Sequence, residues 1–209
     1  MIENKYKCIH IHIPKCAGTS IDYALHGTVP ERWNKDKQLW KQHCTASDVK
    51  KYFASEEQWD NYFKFSIVRN PFDRIVSSYN FLCREKMRPY EFRDRLLFKD
   101  FIFRKGIFER LLNPSLIVEE SNRYHQIKPS FEYLFDKNDN LMIDHIGRFE
   151  NLKNEWDFIC KQLGVKIELK HRNKHSRDNK HYRDYYDNET KAYVSETYKK
   201  DLEIFGYEF

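Results

Sequence analysis

Two short segments of the chain carry residue types that could hold an anion. The first is Pro14-Lys15-Cys16-Ala17-Gly18-Thr19-Ser20. It follows a β-branched stretch and precedes a helical one, so a phosphate placed there meets backbone N–H groups and the positive end of a helix. Ala17 and Gly18 are small enough to let the backbone come close, Thr19 and Ser20 add hydroxyl donors, and Lys15 adds a mobile charge. The Walker A pattern G-x-x-x-x-G-K-[ST] is absent. The same residues would also make a plain strand–helix turn capped by Thr19 or Ser20. The second segment pairs Arg69 with Ser77. Arg69 closes a strand, where open α/β sheets bind their ligands. Ser77 falls about two turns into the helix that follows, so both can face one crevice. A guanidinium offers a fixed fork for phosphate oxygens. Taken alone, these two residues are better explained as an arginine–carboxylate pair and an incidental helix serine.

The elements that must position these groups can be read in turn. Lys7 to Ile13 is short, β-branched and stopped by Pro14, which predicts a buried strand, then a loop over Pro14 to Thr19 and a helix opening over Ser20 to His26. Residues 27–44 lack periodicity and read as a long loop. Ser47 can cap a helix through Ala54, and Glu57 to Tyr62 reads as another helical turn. Phe63 to Val68 is a second strand. Asn70 is a good N-cap, with Pro71 at the first helical position, and the helix runs to about Arg84 with Phe72, Ile75, Val76 and Tyr79 on one face. Residues 90–112 predict one or two amphipathic helices, and Leu141 to Arg148 holds a third strand. Leu152 to Leu163 is a helix ended by Gly164, residues 171–183 are polar loop, and Glu189 to Ile204 is a final helix. Strands alternating with helices imply a mostly parallel sheet covered on both faces, a three-layer α/β/α domain spanning 1–209.

Taken together, the two anion segments are far more specific than either alone. Ile11-His12-Ile13-Pro14-Lys15-Cys16-Ala17-Gly18-Thr19-Ser20-Ile21 resembles the 5′-phosphosulfate loop of sulfotransferases that use PAPS (3′-phosphoadenosine 5′-phosphosulfate). The run from Phe65 through Arg69-Asn70-Pro71 to Ser77-Ser78-Tyr79 resembles their 3′-phosphate motif. His43-Cys44-Thr45-Ala46, Ile146 to Leu152 and the ending Phe205-Gly206-Tyr207-Glu208-Phe209 are similar to the carbohydrate-type, family 2-like branch. The resemblance implies a P-loop-like site in which Lys15, Cys16, Ala17, Gly18, Thr19 and Ser20 hold the 5′-phosphosulfate. It implies that Arg69 and Ser77 hold the 3′-phosphate, and that Asn173 to Arg177, with Lys174 and Ser176, close over the nucleotide. A solvated basic loop is the plain alternative for that last segment. PAPS would be the co-substrate and PAP the product, with no metal required.

Sulfuryl transfer has a loose transition state, so alignment and charge stabilisation do most of the work. Lys15 can neutralise charge growing on the leaving phosphate oxygen. The acceptor hydroxyl needs a base near neutral pH. In the branch that the chain resembles, a histidine ahead of the second strand serves, and His43 occupies that place. His125, in a segment only loosely similar to the branch's His-x-x-Pro-Gln pattern, with Ser130 where Gln would stand, is the rival. His10 and His12 alternate with Ile9, Ile11 and Ile13 and read as satisfied residues of the core or as support behind the site residues. Trp33 and Trp40 could stack on sugar faces or pack in the core. The basic stretch Arg84 to Arg110 reads first as a solvated helix face and second as a surface for an acidic glycan.

Bulk properties agree with one domain of ordinary size: 209 residues, 40% hydrophobic, 16% aromatic, with a net charge of +5 from mixed signs. Five scattered cysteines without a C-x-x-C pair read as free thiols. There is no apolar run of the roughly 20 residues a membrane span needs and no signal-peptide core at Met1 to Lys5. The expected setting is cytoplasmic, or the Golgi lumen should the chain be a fragment of a longer anchored protein. The expected partner is a hydroxyl-bearing acceptor, a glycan or glycolipid, with no nucleic-acid motif present. Two rivals are a P-loop-like nucleotide kinase and a non-catalytic polyanion-binding module. A melting shift with PAP rather than ATP, and the salt dependence of heparin or DNA binding, separate them.

Overall fold

The computed structural model describes residues 1–27, 43–83, 97–116, 123–170 and 180–209. In chain order the elements are β1 (Ile2–Glu3), β2 (Cys8–Ile11), α1 (Gly18–His26), α2 (Ala46–Tyr52), α3 (Glu56–Asn61), β3 (Phe63–Val68) and α4 (Pro71–Phe81). They continue with α5 (Phe98–Ile102), α6 (Ile107–Leu111), α7 (Phe131–Leu134), β4 (His145–Arg148), α8 (Leu152–Gln162), α9 (Asn188–Thr197) and α10 (Lys199–Phe205). The described residues gather into two compact units. One draws on Met1–Arg69 and Ser130–Lys174, the other on Asn70–Pro129 and His175–Phe209.

The first unit contains the sheet, in the order β1-β2-β3-β4. β2 pairs parallel with β3, with Cys8 opposite Phe63 and Ile11 opposite Ser66, and β3 pairs parallel with β4, with Phe65 opposite His145 and Val68 opposite Arg148. The mixed α/β class and the mostly parallel sheet are as expected. The short antiparallel β1, with Ile2 opposite Ile9, is an addition: two residues are too few to show a period. β2 and β3 are buried along nearly their whole length, which is why both read as apolar runs. Ile9, Ile11, Ile13, Ile21, Phe65, Ile67, Tyr133, Leu134 and Ile159 form the buried apolar interior of this unit. The Ser66 hydroxyl donates to the Ile11 carbonyl at 2.6 Å, so this buried polar side chain is satisfied.

Several boundaries differ from expectation. β2 stops at Ile11, because the chain beyond it leaves β3 and turns at Pro14. α2 is capped by Thr45 rather than Ser47: Thr45 and Asp48 exchange hydrogen bonds as a capping box, and Ser47 sits inside the first turn. β4 is confined to His145–Arg148, while Leu141 makes an isolated bridge to Phe135.

The second unit is built on α4, whose start follows the sequence closely: the Asn70 side chain accepts from the Phe72 N–H and Pro71 takes the first helical position. Phe72, Ile75, Val76, Phe98, Phe101, Phe108, Ile127, Val194 and Tyr198 make its core. The expected final helix divides at Tyr198, between α9 and α10. Tyr198 is buried, and its hydroxyl donates to the Ile127 carbonyl. Arg74 is fully buried too, donating to the carbonyls of Gln126 (3.4 Å) and Lys128 (2.8 Å).

Candidate active site

Between β2 and α1 the chain makes a tight turn over residues 14–17. Lys15 (φ 67°) and Ala17 (φ 64°) both take the left-handed conformation without being glycine. Such residues cost about 1–3 kcal/mol each and persist where the surroundings over-determine them. The strain lets the chain reverse and enter α1 at Gly18 with Ala17 as N-cap. Neither Thr19 nor Ser20 caps the helix; both lie within it. Exposure alternates along the loop: Lys15, Ala17 and Thr19 are half-buried, while Cys16, Gly18 and Ser20 are buried. Cys16 turns its thiol to the Pro14 carbonyl at 3.6 Å. Lys15 and Thr19 therefore offer side chains, whereas Cys16 and Gly18 offer backbone.

The parallel pairing of β2 with β3 places their carboxyl ends side by side, which brings Arg69 to this loop. Arg69 is 7% exposed; its Nη1 donates to the Lys15 carbonyl at 2.9 Å. Its guanidinium lies 4.1 Å from the centre of the Phe149 ring, well within cation–π range. Phe149 belongs to the Ile146–Leu152 stretch, to which the sequence assigned no role. Ser77 lies in α4 of the second unit and is half-buried; its neighbour Ser78 is fully buried and donates to the Gln126 carbonyl at 2.8 Å. The fold thus separates a serine with open surface from one committed to packing.

His43 stands two residues ahead of Thr45, the cap of α2, and is positioned by that helix start. Thr45 caps that helix, while Cys44 and Ala46 anchor it in the interior. The His43 Nδ1 lies 3.3 Å from the His12 carbonyl. A carbonyl can only accept, so Nδ1 carries a proton, and in the neutral ring the lone pair lies on Nε2. This is the tautomer a general base needs at Nε2.

His10, in β2, and His12, just past its end, lie on one side of the chain and meet Asp22 of α1. Nδ1 of His10 lies 2.9 Å from Oδ1 of Asp22, and Nδ1 of His12 lies 2.7 Å from Oδ2. All three are buried. Burial pushes the His10 imidazole down to about 4, so it is neutral near pH 7. Burial by itself would raise the Asp22 carboxyl; the electrostatic pull of the His12 ring beside it and the hydrogen bonds from both rings outweigh it and hold the carboxyl well below its usual range. Among the described residues these three form the one group of His, Cys, Asp or Glu side chains close enough together to hold an ion. Their separations are those of N–H···O bonds, and these bonds occupy both carboxylate oxygens. The reading of His10 and His12 as satisfied core residues holds, but Asp22, the residue that satisfies them, escaped the sequence analysis. Two histidines two apart on one strand face were the signal that a buried partner was required.

His125 is buried in a 3₁₀ turn, Tyr124–Gln126, of the second unit. Trp33, Trp40, Lys174, Ser176, the rest of Asn173 to Arg177 and residues 84–96 of the basic stretch lie outside the described residues. The first unit thus brings together Lys15 to Ser20, His43 and Arg69. Among the described residues no helix is long and apolar enough to cross a membrane.

No curated protein and no solved structure matches the chain. The model of the Sulfotransferase family matches residues 1–208, nearly the whole length and both units. A match over nearly the whole length places the chain in the sulfotransferase family.

Proposed function

We propose that the protein transfers the sulfuryl group of PAPS to a hydroxyl of a carbohydrate acceptor by in-line displacement, with His43 as general base. Family membership establishes a transferase acting in sulfuryl transfer to a hydroxyl acceptor. What supports the finer reading above all is the bond from Arg69 to the Lys15 carbonyl. It ties the loop suited to a phosphosulfate to the arginine suited to a second phosphate. In this reading Arg69 and Ser77 take the 3′-phosphate, while Lys15, Thr19 and the backbone of Cys16 to Ser20 take the 5′-phosphosulfate. Lys174 and Ser176 close over the nucleotide, and residues 1–209 work as one catalytic domain.

The acceptor oxygen attacks sulfur as Nε2 of His43 takes the hydroxyl proton. The bond from sulfur to the 5′-phosphate oxygen breaks, and its electron pair stays on that oxygen as PAP leaves. Lys15 stabilises the charge that develops there. The test is transfer of ³⁵S from labelled PAPS across a panel of glycans and glycolipids, with the melting-temperature shift by PAP and by ATP alongside. Lys15→Ala should lower kcat more than it weakens PAP binding. A protein stabilised by ATP but not by PAP, and passing no label to any acceptor, would overturn the reading.

A further inference from the structure

Four side chains of the first unit form one connected series: His10, Asp22, His12 and His43. Asp22 is fully buried and accepts from His10 and His12. The bond to Asp22 fixes the plane of the His12 ring and commits its Nδ1. The opposite edge of the ring is pressed against the start of α1: a Cβ added at Gly18 would lie 2.2 Å from both Cδ2 and Nε2 of His12. The same ring meets His43 edge-on, with centroids 4.7 Å apart and planes at 88°. The His12 carbonyl accepts a hydrogen bond from the His43 Nδ1–H. One residue therefore touches the first helical residue of the proposed donor loop and, on another side, the ring proposed as base. Burying a carboxylate costs several kcal/mol, and well-packed apolar residues are often as stable as a buried ionic group or more so. Packing alone does not account for an ionised Asp22 with two imidazoles on it.

Resting on the reading of His43 as base, we infer that His12 is a positioning residue, clamped by Asp22, which sets the placement of His43 relative to the donor loop at Gly18. The discriminating variant is His12→Asn. Its amide nitrogen can replace Nδ1 in the bond to Asp22, so the buried carboxylate keeps both partners while the ring is lost. Misplacing a reacting group by about 1 Å can cost on the order of 10²-fold, and kcat should fall by that order with the KM for PAPS nearly unchanged. Ring-nitrogen NMR on ¹⁵N-histidine-labelled protein, with His43 assigned from His43→Ala, reads the tautomer directly. Wild-type His12 and His43 should both carry their proton on Nδ1, and in His12→Asn, which keeps the residue-12 carbonyl but loses the ring that holds His43 against it, the His43 ring should become a mixture of tautomers. A wild-type spectrum with Nε2–H on either ring would overturn the inference, and this needs no variant to fold. So would a His12→Asn enzyme that keeps wild-type kcat and an unchanged His43 tautomer. The spectra require neither donor nor acceptor, so a wild type that transfers nothing from PAPS would count against the proposed function alone.

Discussion

Substituting Gly18 by Ala should test the contact between α1 and His12 more sharply than any polar change. Gly18 has ordinary helical backbone, and propensity alone would favour alanine in a helix by up to about 1 kcal/mol. The structure predicts the opposite sign. The new Cβ would stand 2.2 Å from Cδ2 and Nε2 of His12 and 2.5 Å from Cγ. Carbon atoms rest at about 3.5–4.0 Å, so the ring or the helix start must move by more than 1 Å. The ring has little room: its Nδ1 is bonded to Asp22 at 2.7 Å, its edge meets His43, and the residue is buried. Overpacking of this kind costs about 1–3 kcal/mol, and losing a charge-assisted hydrogen bond adds about 1.5–3 kcal/mol. Net of propensity, Gly18→Ala should destabilise by about 2–5 kcal/mol, and a chain of this size loses about 2–4 °C of Tm per kcal/mol. The assay is urea unfolding of wild type, Gly18→Ala, His12→Ala and the double variant. With the ring gone the Cβ fits, so the two changes should be non-additive by more than about 1 kcal/mol. A Gly18→Ala protein as stable as wild type, or a double variant additive to within about 0.5 kcal/mol, would refute the contact.

Arg69→Ala should weaken PAP binding strongly while leaving adenosine 5′-phosphosulfate, which lacks the 3′-phosphate, nearly unaffected by calorimetry; equal loss for both would make Arg69 a brace for the Lys15 carbonyl and nothing more. His43→Ala should retain PAP affinity and lose about 10²–10⁴ in turnover, the usual range for a positioned base, and the acid limb of the wild-type rate profile should vanish with it; near-wild-type turnover would move the test to His125. Stability should fall on acidification through His10. Its folded value is depressed from 6.5 to about 4, so between those values the unfolded chain binds a proton that the folded chain excludes. The stabilisation is complete above pH 6.5 and is lost as pH falls toward 4, in total about 3 kcal/mol. Asp22, also depressed, extends the loss to lower pH as its carboxyl protonates. His10→Asn should flatten the slope between pH 6.5 and 4 in urea titrations, and an unchanged slope would refute the assignment to His10.

The elements that the sequence determined by itself are those whose causes lie within a few residues. Phe63–Val68 is a mostly apolar segment of strand length, Asn70 and Pro71 specify a helix start, and the small residues between Pro14 and Ser20 admit a tight turn. Each follows from backbone sterics, capping or side-chain period, which act over i to i+4. The candidate residues Lys15, His43 and Arg69 were legible for the same reason, as chemical types at the ends of readable elements. What joins them was not. Arg69 reaches a carbonyl 54 residues away, His43 one 31 residues away, and Asp22 two rings on a different element. Those meetings depend on the parallel register of β2 with β3 and on which face α1 lays against β2, and no local rule encodes either. The division of the last helix at Tyr198 has the same origin. Its residues suit one long helix, and the break falls at a buried tyrosine whose hydroxyl reaches Ile127, 71 residues away. Local chemistry named the functional groups; tertiary packing decided which of them are neighbours, which nitrogen of His43 faces the His12 carbonyl, and why a side chain at residue 18 would collide with His12.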